Sequence, residues 1–383
     1  MDARVSGLAL TDDDLDASRD RLRAWLAANP DPDGATLAAA GLVAPHYPPP
    51  WGVAAGPELQ LLIDAELAAA GVTGPENPIG IGWAGPTLVA AGTPEQQQRW
   101  LPGLLSGADF WSQLFSEPEA GSDLASLRTR AERDGDVYVV NGQKIWSTWA
   151  DRAAYGILLA RTDPAAPQHR GISYFVLDLS LPGIDVRPIT EMTGQSHFNE
   201  VFLTDVRVPT DCRIGDEGDG WRLAKVTLGN ERVSLSEGGV CWGMGPTSSD
   251  AFELLRREGV TGAVARQEAA RLWSQAKVLE LLDQRVVEAV VRGEDPTPVA
   301  SLKKRLADVH GQELLTFVKD RRGPHGMLGE QGPHAEEADV WHWAYLFSRA
   351  LTIGGGTTEV LSNIIAEQLL GLPREPRPRG GTT

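Results

Sequence analysis

The sequence contains few cysteines and no long apolar segment. Cys212 and Cys241 are its only cysteines. This is too few for a disulfide framework or a four-thiolate metal site, so we expect two reduced, packed thiols. No run approaches the roughly 18 apolar residues needed to cross a bilayer. Aspartates crowd positions 12 to 16, where a secretory signal would be apolar. We therefore expect a cytoplasmic protein that does not enter a membrane.

Basic side chains are also scarce. Lysine and arginine total 35 against 52 acidic residues, which gives a formal net charge of −17 over 383 residues. Binding to nucleic acid relies on cations that displace counterions from the phosphates, so nucleic acid is not an expected partner. The H-E-x-x-H and G-x-S-x-G motifs are absent as well, and we expect no metal site. A content of 42% apolar and 23% charged residues is typical of a globular protein.

The periodicity of apolar residues divides the chain into three parts. Apolar residues recur at helical spacing in the first third and again after Gly220, whereas the middle part alternates with the period of a strand. We expect an α+β fold with three domains. These are an N-terminal α-helical domain at 1–109, a middle β-barrel-like domain at 110–214 and a C-terminal four-helix bundle with a flexible tail at 215–383.

Local signals predict individual strands of the middle domain. The Asn141-Gly142 pair tolerates the positive φ angles of a tight turn, which predicts a hairpin between strands at 136–140 and 143–146. Three later strands are predicted at Tyr155–Arg161, Ile172–Asp178 and Glu200–Val208.

Three segments combine glycine with hydrogen-bonding side chains in a way that indicates a ligand site. They read Phe-Ser-Glu-Pro-Glu-Ala-Gly-Ser-Asp at 115–123, Asn-Gly-Gln-Lys-Ile-Trp-Ser-Thr at 141–148, and Ile-Gly-Gly-Gly-Thr-Thr-Glu at 353–359. The third places glycines directly before a helix start, a position that suits an anionic ligand.

With these motifs the sequence resembles the acyl-CoA dehydrogenase family, whose FAD-binding signature is similar to the first two segments. The resemblance spans the chain in order and includes Glu-Met-Thr-Gly at 191–194 and Asp-Val-Arg-Val-Pro at 205–209. It implies FAD as cofactor and α,β-desaturation of an acyl-CoA or acyl-carrier thioester. It also implies an electron-transferring flavoprotein as electron acceptor, and a homotetramer or dimer of dimers.

The resemblance assigns flavin contacts to the middle domain. It implies that Phe115 and Ser116 meet the ring through backbone and hydroxyl groups, that Trp146 covers one side, and that Thr148 hydrogen-bonds near the reactive nitrogen. Ser122 would face the thioester arm of the substrate. Without the resemblance, the two serines are equally well explained as turn residues and the tryptophan as part of the β-domain packing.

The C-terminal domain is implied to hold the diphosphate of FAD. Contacts are expected from Thr357 and Glu359 at a helix start and, from a neighbouring subunit, from Arg256 and Gln267. The sequence departs from the family here. The usual Arg-x-x-Phe-Gly motif reads Arg-Arg-Glu-Gly-Val at 256–260, so the aromatic residue is lost and a different hold on the adenine end is expected.

The catalytic base is not at the position that many family members use. That position is Gly355, which has no side chain. A minority of the family, the isovaleryl- and long-chain-type enzymes, places a glutamate directly before an arginine on the first helix of the last domain, and Glu231 precedes Arg232 at that place. Glu231 is therefore the candidate base. The alternative is a structural salt bridge to a distant arginine or to another subunit.

Gly355 keeps an implied role through its backbone N–H, which would donate to the thioester oxygen. We hypothesise that Gly354, Gly355 and Gly356 leave room for a branched or bulky acyl group. Arg232 is expected near the thioester arm or the flavin, and a surface role is an equal alternative.

Two alternatives to a dehydrogenase remain from the sequence. In one, the chain is a catalytically silent FAD- and acyl-CoA-binding subunit of a heteromeric dehydrogenase, which tolerates Gly355 because a partner performs the chemistry. In the other, the same scaffold supports a flavin oxidase or monooxygenase.

Overall fold

The computed structural model describes residues 8–234, 240–328 and 340–374, apart from the side chains of 232–234 and 290. Contacts between residues divide the chain after Glu231 into two compact units. Within the described ranges, no helix is both long enough and apolar enough to cross a membrane.

The first unit begins with five helices: α1 (Leu15–Ala28), α2 (Gly34–Ala39), α3 (Pro57–Ala69), α4 (Gly85–Ala91) and α5 (Pro94–Ser106). Their starts follow from local chemistry. Asp14 caps α1 by accepting a hydrogen bond from the Ala17 N–H, and Thr93 and Gln96 form a reciprocal capping box at α5. Their apolar faces meet in a core that includes Leu22, Leu59 and Ile63.

Eight strands follow and form one mixed sheet: β1 (Trp111–Leu114), β2 (Arg130–Asp134), β3 (Val137–Thr148), β4 (Tyr155–Arg161), β5 (Ile172–Asp178), β6 (Ile184–Ile189), β7 (Phe198–Pro209) and β8 (Arg213–Ile214). Their order is β6-β7-β3-β2-β4-β5-β8, and β1 pairs in parallel with β4. Helix α6 (Gly220–Ser234) comes next and carries Glu231 at the end of the unit. The bounds of β4 and β5 agree with the predicted strands.

The hairpin predicted at Asn141-Gly142 is wrong. β3 continues through both residues, and its pairing with β7 shifts register between Val140 and Gly142. The Asn141 amide donates to the Asp205 carboxylate at 3.0 Å, and its oxygen accepts the Asp205 N–H at 3.0 Å. These two bonds keep Asn141 and Gly142 within the sheet, at the point where the register of β3 and β7 shifts. The turn instead lies at Gly135, whose φ of +64° joins β2 to β3.

The second unit is helical in its described residues. It contains α7 (Ser248–Glu258), α8 (Ala263–Val291), α9 (Thr297–Arg322), α10 (Val340–Phe347) and α11 (Thr358–Ile364). Helix α10 is given from Val340 because residues 329–339 lie outside the described ranges. The fold is thus an N-terminal helical part, a middle β-sheet and a C-terminal helical part, as the α+β assignment predicts.

A buried histidine in the second unit predicts a sensitivity to acid. The His310 ring contacts the Ser248 hydroxyl at 3.1 Å and the Gln275 amide oxygen at 3.4 Å, and burial lowers its pKa to about 4. Between pH 6.5 and 4, His310 is therefore protonated in the unfolded chain and neutral in the folded chain. Relative to His310→Gln, the wild type should lose about 2 kcal/mol more unfolding free energy between pH 7 and pH 5.

This difference is measured by urea unfolding at the two pH values. Burial raises the pKa of Asp308 to about 6, which acts in the opposite direction, but this contribution is common to both proteins and cancels in the comparison. The same substitution at exposed His325 serves as the control. Equal pH dependence of wild type and His310→Gln would contradict the prediction.

Candidate active site

The first two motifs are joined by a buried ion pair. Lys144 on β3 is fully buried, and its Nζ donates to a Glu117 carboxylate oxygen at 2.8 Å and to the Phe115 carbonyl at 3.1 Å. The Glu117 carboxylate also accepts the N–H groups of Arg128 at 2.6 Å and Thr129 at 2.8 Å. Burial lowers the pKa of Lys144 to about 8, against the pull of Glu117. The pair fixes the 115–117 segment against β3.

Trp146 presents an exposed aromatic face at the end of this arrangement. Its side chain is 57% exposed although it lies within a strand, and its φ is +61°. The pairing of β3 with β7 shifts register between Lys144 and Ser147, and such a bulge turns a side chain away from the regular alternation. Phe198 supports the indole edge-on, with ring centroids 6.0 Å apart.

These residues fit a flavin ring. The ring needs a flat apolar wall and hydrogen-bonding groups at its edge. Trp146 offers the wall, and the hydroxyls of Ser116 and Thr148 make no hydrogen bond to any described residue. The Phe115 side chain is buried and its carbonyl already accepts a hydrogen bond from Lys144, so we expect any flavin contact by this residue through its backbone. Ser122 is exposed near the end of the first motif.

Glu231 is buried, although its side chain is acidic. Its residue is only 7% exposed, and Oε2 accepts a hydrogen bond of 3.2 Å from Nε2 of Gln113 on β1. Gln113 stands two residues before Phe115, so the strand that leads into the flavin motif also contacts the candidate base. A carboxylate held in a dry setting by a neutral donor is suited to accept a proton.

The glycine-rich segment of the second unit has a left-handed backbone. Gly355 and Gly356 adopt φ angles of +67° and +102°, where a side chain would be strained. The backbone conformation at position 355 would therefore disfavour a glutamate there. The Gly355 N–H makes no hydrogen bond to any described residue, which keeps it available as a donor.

The space at Gly354 is occupied by protein. A Cβ added there would lie 2.5 Å from the Cη2 atom of Trp242. Trp242 itself packs edge-on against Phe347, with ring centroids 5.5 Å apart. The room that the sequence predicted at Gly354 for an acyl group is therefore filled by an indole ring, and the hypothesis is retained for Gly355 and Gly356.

We expect Gly354→Ala to destabilise the protein by about 1–3 kcal/mol, because the rigid indole of Trp242 must move. Trp242→Phe removes the outer ring that carries the contact, so the double variant should recover most of the loss. Thermal unfolding of the three variants measures this. Gly74→Ala, where a Cβ meets open space, is the matched control. Absence of recovery in the double variant would show that Trp242 is not the obstacle.

The remaining predicted residues lie in the second unit, which begins at Arg232. Thr357 caps α11 by accepting the Val360 N–H, and Glu359 is exposed in its first turn. Arg256 and Gln267 are exposed near the end of α7 and the start of α8. Both positions are open to a ligand or a second subunit. The side chain of Arg232 lies outside the described part of the structure.

The sequence analysis missed the residues that support the site. Gln113 gives no local signal, because its partner lies 118 positions later in the chain. Glu117 and Lys144 stand in the first and second motifs, and their opposite charges are the one signal in the sequence that could have indicated the pair. Trp242 was hidden among twelve tryptophans.

Three family models match consecutive parts of the chain. They describe the acyl-CoA dehydrogenase N-terminal domain at 19–108, middle domain at 112–206 and C-terminal domain at 218–370. The fold and the site define a class of flavin-binding proteins with a helix–sheet–helix order. The matches cover most of the chain, so it belongs to the acyl-CoA dehydrogenase family, whose members are FAD-binding flavoproteins. The family and cofactor predicted from the motifs are confirmed.

Two mycobacterial proteins illustrate the similarity in sequence. The chain is 44% identical to acyl-CoA dehydrogenase FadE34 of Mycobacterium tuberculosis over 339 residues, which cover 88% of the chain and 46% of FadE34. It is 39% identical to acyl-CoA dehydrogenase IpdE1 of the same organism over 346 residues, 89% of the chain and 87% of IpdE1. The chain thus spans about half the length of FadE34.

Two solved structures are similar in fold. The steroid ACAD Tcur3481-Tcur3483 matches with a TM-score of 0.77 at 28% identity. The match covers 98% of the present chain and 100% of the Tcur3481-Tcur3483 chain. The ChsE4-ChsE5 complex from Mycobacterium tuberculosis matches with a TM-score of 0.73 at 30% identity. The match covers 96% of the present chain and 99% of the matched chain of the complex.

Proposed function

We propose that the protein catalyses FAD-dependent α,β-desaturation of an acyl-CoA or acyl-carrier thioester. The observation that carries the proposal is the buried Glu231 carboxylate, hydrogen-bonded to the strand that leads into the flavin motif. Bound FAD supplies a hydride acceptor for the β-carbon. Glu231 takes the proton from the α-carbon, and the C–C single bond becomes a double bond.

The other residues of the proposed site would bind the flavin and orient the thioester substrate. Trp146 covers one face of the flavin, while the Ser116 and Thr148 hydroxyls bond its edge and Ser122 faces the thioester arm. The Gly355 N–H donates to the thioester oxygen, where negative charge develops as the α-proton leaves. Gly355 and Gly356 would leave room for the acyl group, and Thr357, Glu359, Arg256 and Gln267 are assigned to the diphosphate side of the cofactor.

Exposed apolar side chains along one helix support association with other subunits. Helix α8 carries large apolar side chains that are between 39% and 80% exposed: Val264, Trp273, Val278, Leu281, Val287 and Val291. Exposed apolar surface on this scale indicates a protein contact. We propose a tetramer or dimer of dimers in the cytoplasm, with an electron-transferring flavoprotein as the next electron acceptor.

A second candidate function is that of one subunit in a heteromeric dehydrogenase. Two observations favour it: FadE34 is about twice as long as the matched segment, and both similar solved structures carry the names of two chains. The name steroid ACAD also favours a polycyclic acyl group among the possible substrates. In the silent form of this alternative, the chain binds FAD and thioester without reducing the flavin.

The test is a thioester panel added anaerobically to the purified chain while flavin absorbance is followed. The panel contains straight, branched and steroid side-chain acyl groups, each on CoA and on a carrier protein. Bleaching by any thioester supports the dehydrogenase. Bound FAD that no thioester bleaches would favour the silent subunit, and hydrogen peroxide release or oxygen insertion in air would favour an oxidase or monooxygenase.

A further inference from the structure

Strand β1 contacts two parts of the proposed site through two consecutive residues. Ser112 is fully buried, and its hydroxyl donates to the Thr148 carbonyl at 2.8 Å. Gln113 follows, and its amide donates to the Glu231 carboxylate at 3.2 Å. Successive side chains of a strand point to opposite faces, so one short strand connects the flavin-edge strand on one side with the candidate base on the other.

The helix that carries Glu231 is itself anchored one turn earlier. Thr227 lies four residues before Glu231 and so shares its face of α6. The Thr227 hydroxyl lies 2.8 Å from that of Thr87 on α4 and 3.0 Å from that of Tyr174 on β5, and all three residues are fully buried. This cluster fixes the rotation of the helix. The position of the carboxylate then depends on the side-chain torsions of Glu231, which the Gln113 bond restrains.

We propose that Gln113 is a positioning residue that holds the Glu231 carboxylate in the orientation needed to take the α-proton. The proposal rests on the proposed function, because it assigns Gln113 a role through the same base. A glutamine suits this role better than a cation. Its amide orients the carboxylate by donation, whereas a full positive charge at the same distance would strongly depress the proton affinity that a base requires.

Removing the hydrogen bond from Gln113 to Glu231 should slow proton abstraction and leave the binding of FAD and thioester unchanged. Gln113→Met keeps the length of the side chain and removes this donor, so the carboxylate loses the restraint that the Gln113 amide supplies. Hydrogen bonds to charged groups contribute about 1.5–3 kcal/mol, which corresponds to a roughly 10- to 100-fold slower flavin reduction. FAD content and thioester affinity, read from the perturbed flavin spectrum, should stay unchanged.

Isotope effects separate this role from a general structural one. With substrate deuterated at the α-carbon, the isotope effect on flavin reduction should increase in Gln113→Met, because proton removal becomes more limiting. With β-deuterated substrate it should not increase. Gln60→Met is the matched control, because Gln60 also donates to a carboxylate, that of Asp64 at 2.9 Å, within the N-terminal helices. The control should behave as wild type.

Two further measurements keep the proposal testable. If Gln113→Met loses FAD or fails to fold, Gln113→Asn, which keeps the amide on a side chain one methylene too short for this bond, should show the same slowing and the same α-isotope pattern. Wild-type rates and isotope effects in Gln113→Met, or in Gln113→Asn where that variant is needed, would overturn the proposal.

Exchange of substrate α-protons with D₂O, followed by NMR, tests the base without flavin reduction. If the wild type exchanges α-protons but no thioester bleaches its flavin, the proposed desaturation fails, and slower exchange in Gln113→Met would still support the positioning role. Equal exchange in both proteins would overturn that role, and the absence of both α-proton exchange and flavin bleaching in the wild type would overturn both proposals.

Discussion

Glu231→Gln should slow flavin reduction by about 10²- to 10⁴-fold while FAD remains bound. The amide keeps the size of the side chain and can still face Gln113, but it cannot accept the α-proton at working pH. A positioned general base contributes rate factors of this order. The measurement is single-turnover bleaching of the flavin by the best thioester of the panel, with cofactor content read from the absorbance before mixing.

Glu253→Gln is the control for this variant. Glu253 is exposed on α7, so its substitution tests the effect of losing one carboxylate from a chain of net charge −17 without touching the proposed site. Its reduction rate should equal that of wild type. A Glu231→Gln protein that bleaches at the wild-type rate would show that another group is the base.

Lys144→Met should destabilise the first unit by about 3–5 kcal/mol and weaken FAD binding. The substitution leaves the Glu117 carboxylate buried without its cation, and breaking a buried ion pair from one side costs this much. The two N–H groups that Glu117 accepts cannot replace the lost ammonium. The 115–117 segment also loses the bond that holds the Phe115 carbonyl. Urea unfolding and FAD titration measure the two effects.

Two comparisons identify the cause of this loss. Adding Glu117→Gln to Lys144→Met removes the unpaired charge, so the double variant should be more stable than the single one. Arg207→Met breaks an exposed pair with Asp134 in the same sheet, where both side chains are over 60% exposed. It should cost less than about 1 kcal/mol. Similar losses in Arg207→Met and Lys144→Met would argue against the importance of burial.

Local sequence signals predicted the helical character of the N-terminal part and the bounds of β4 and β5, because these features depend on neighbouring residues. The capped start of α5 and the bounds of β4 and β5 follow from the identity of residues within a few positions. Asn141-Gly142 shows the limit of such reasoning. Its turn propensity was outweighed by two hydrogen bonds to Asp205, which lies 64 residues away in the chain.

The candidate site divides in the same way. The motifs alone determined the family and the FAD cofactor, because these depend on residue identity at fixed spacing. They also indicated Glu231, rather than Gly355, as the candidate base, which remains a prediction. Only the tertiary structure decided that Glu231 is buried, that Gln113 contacts it, that Lys144 pairs with Glu117 and that Trp242 fills the space at Gly354. The physical reason is that burial and long-range hydrogen bonds arise when distant segments pack together, and no local pattern of residues records which segments meet.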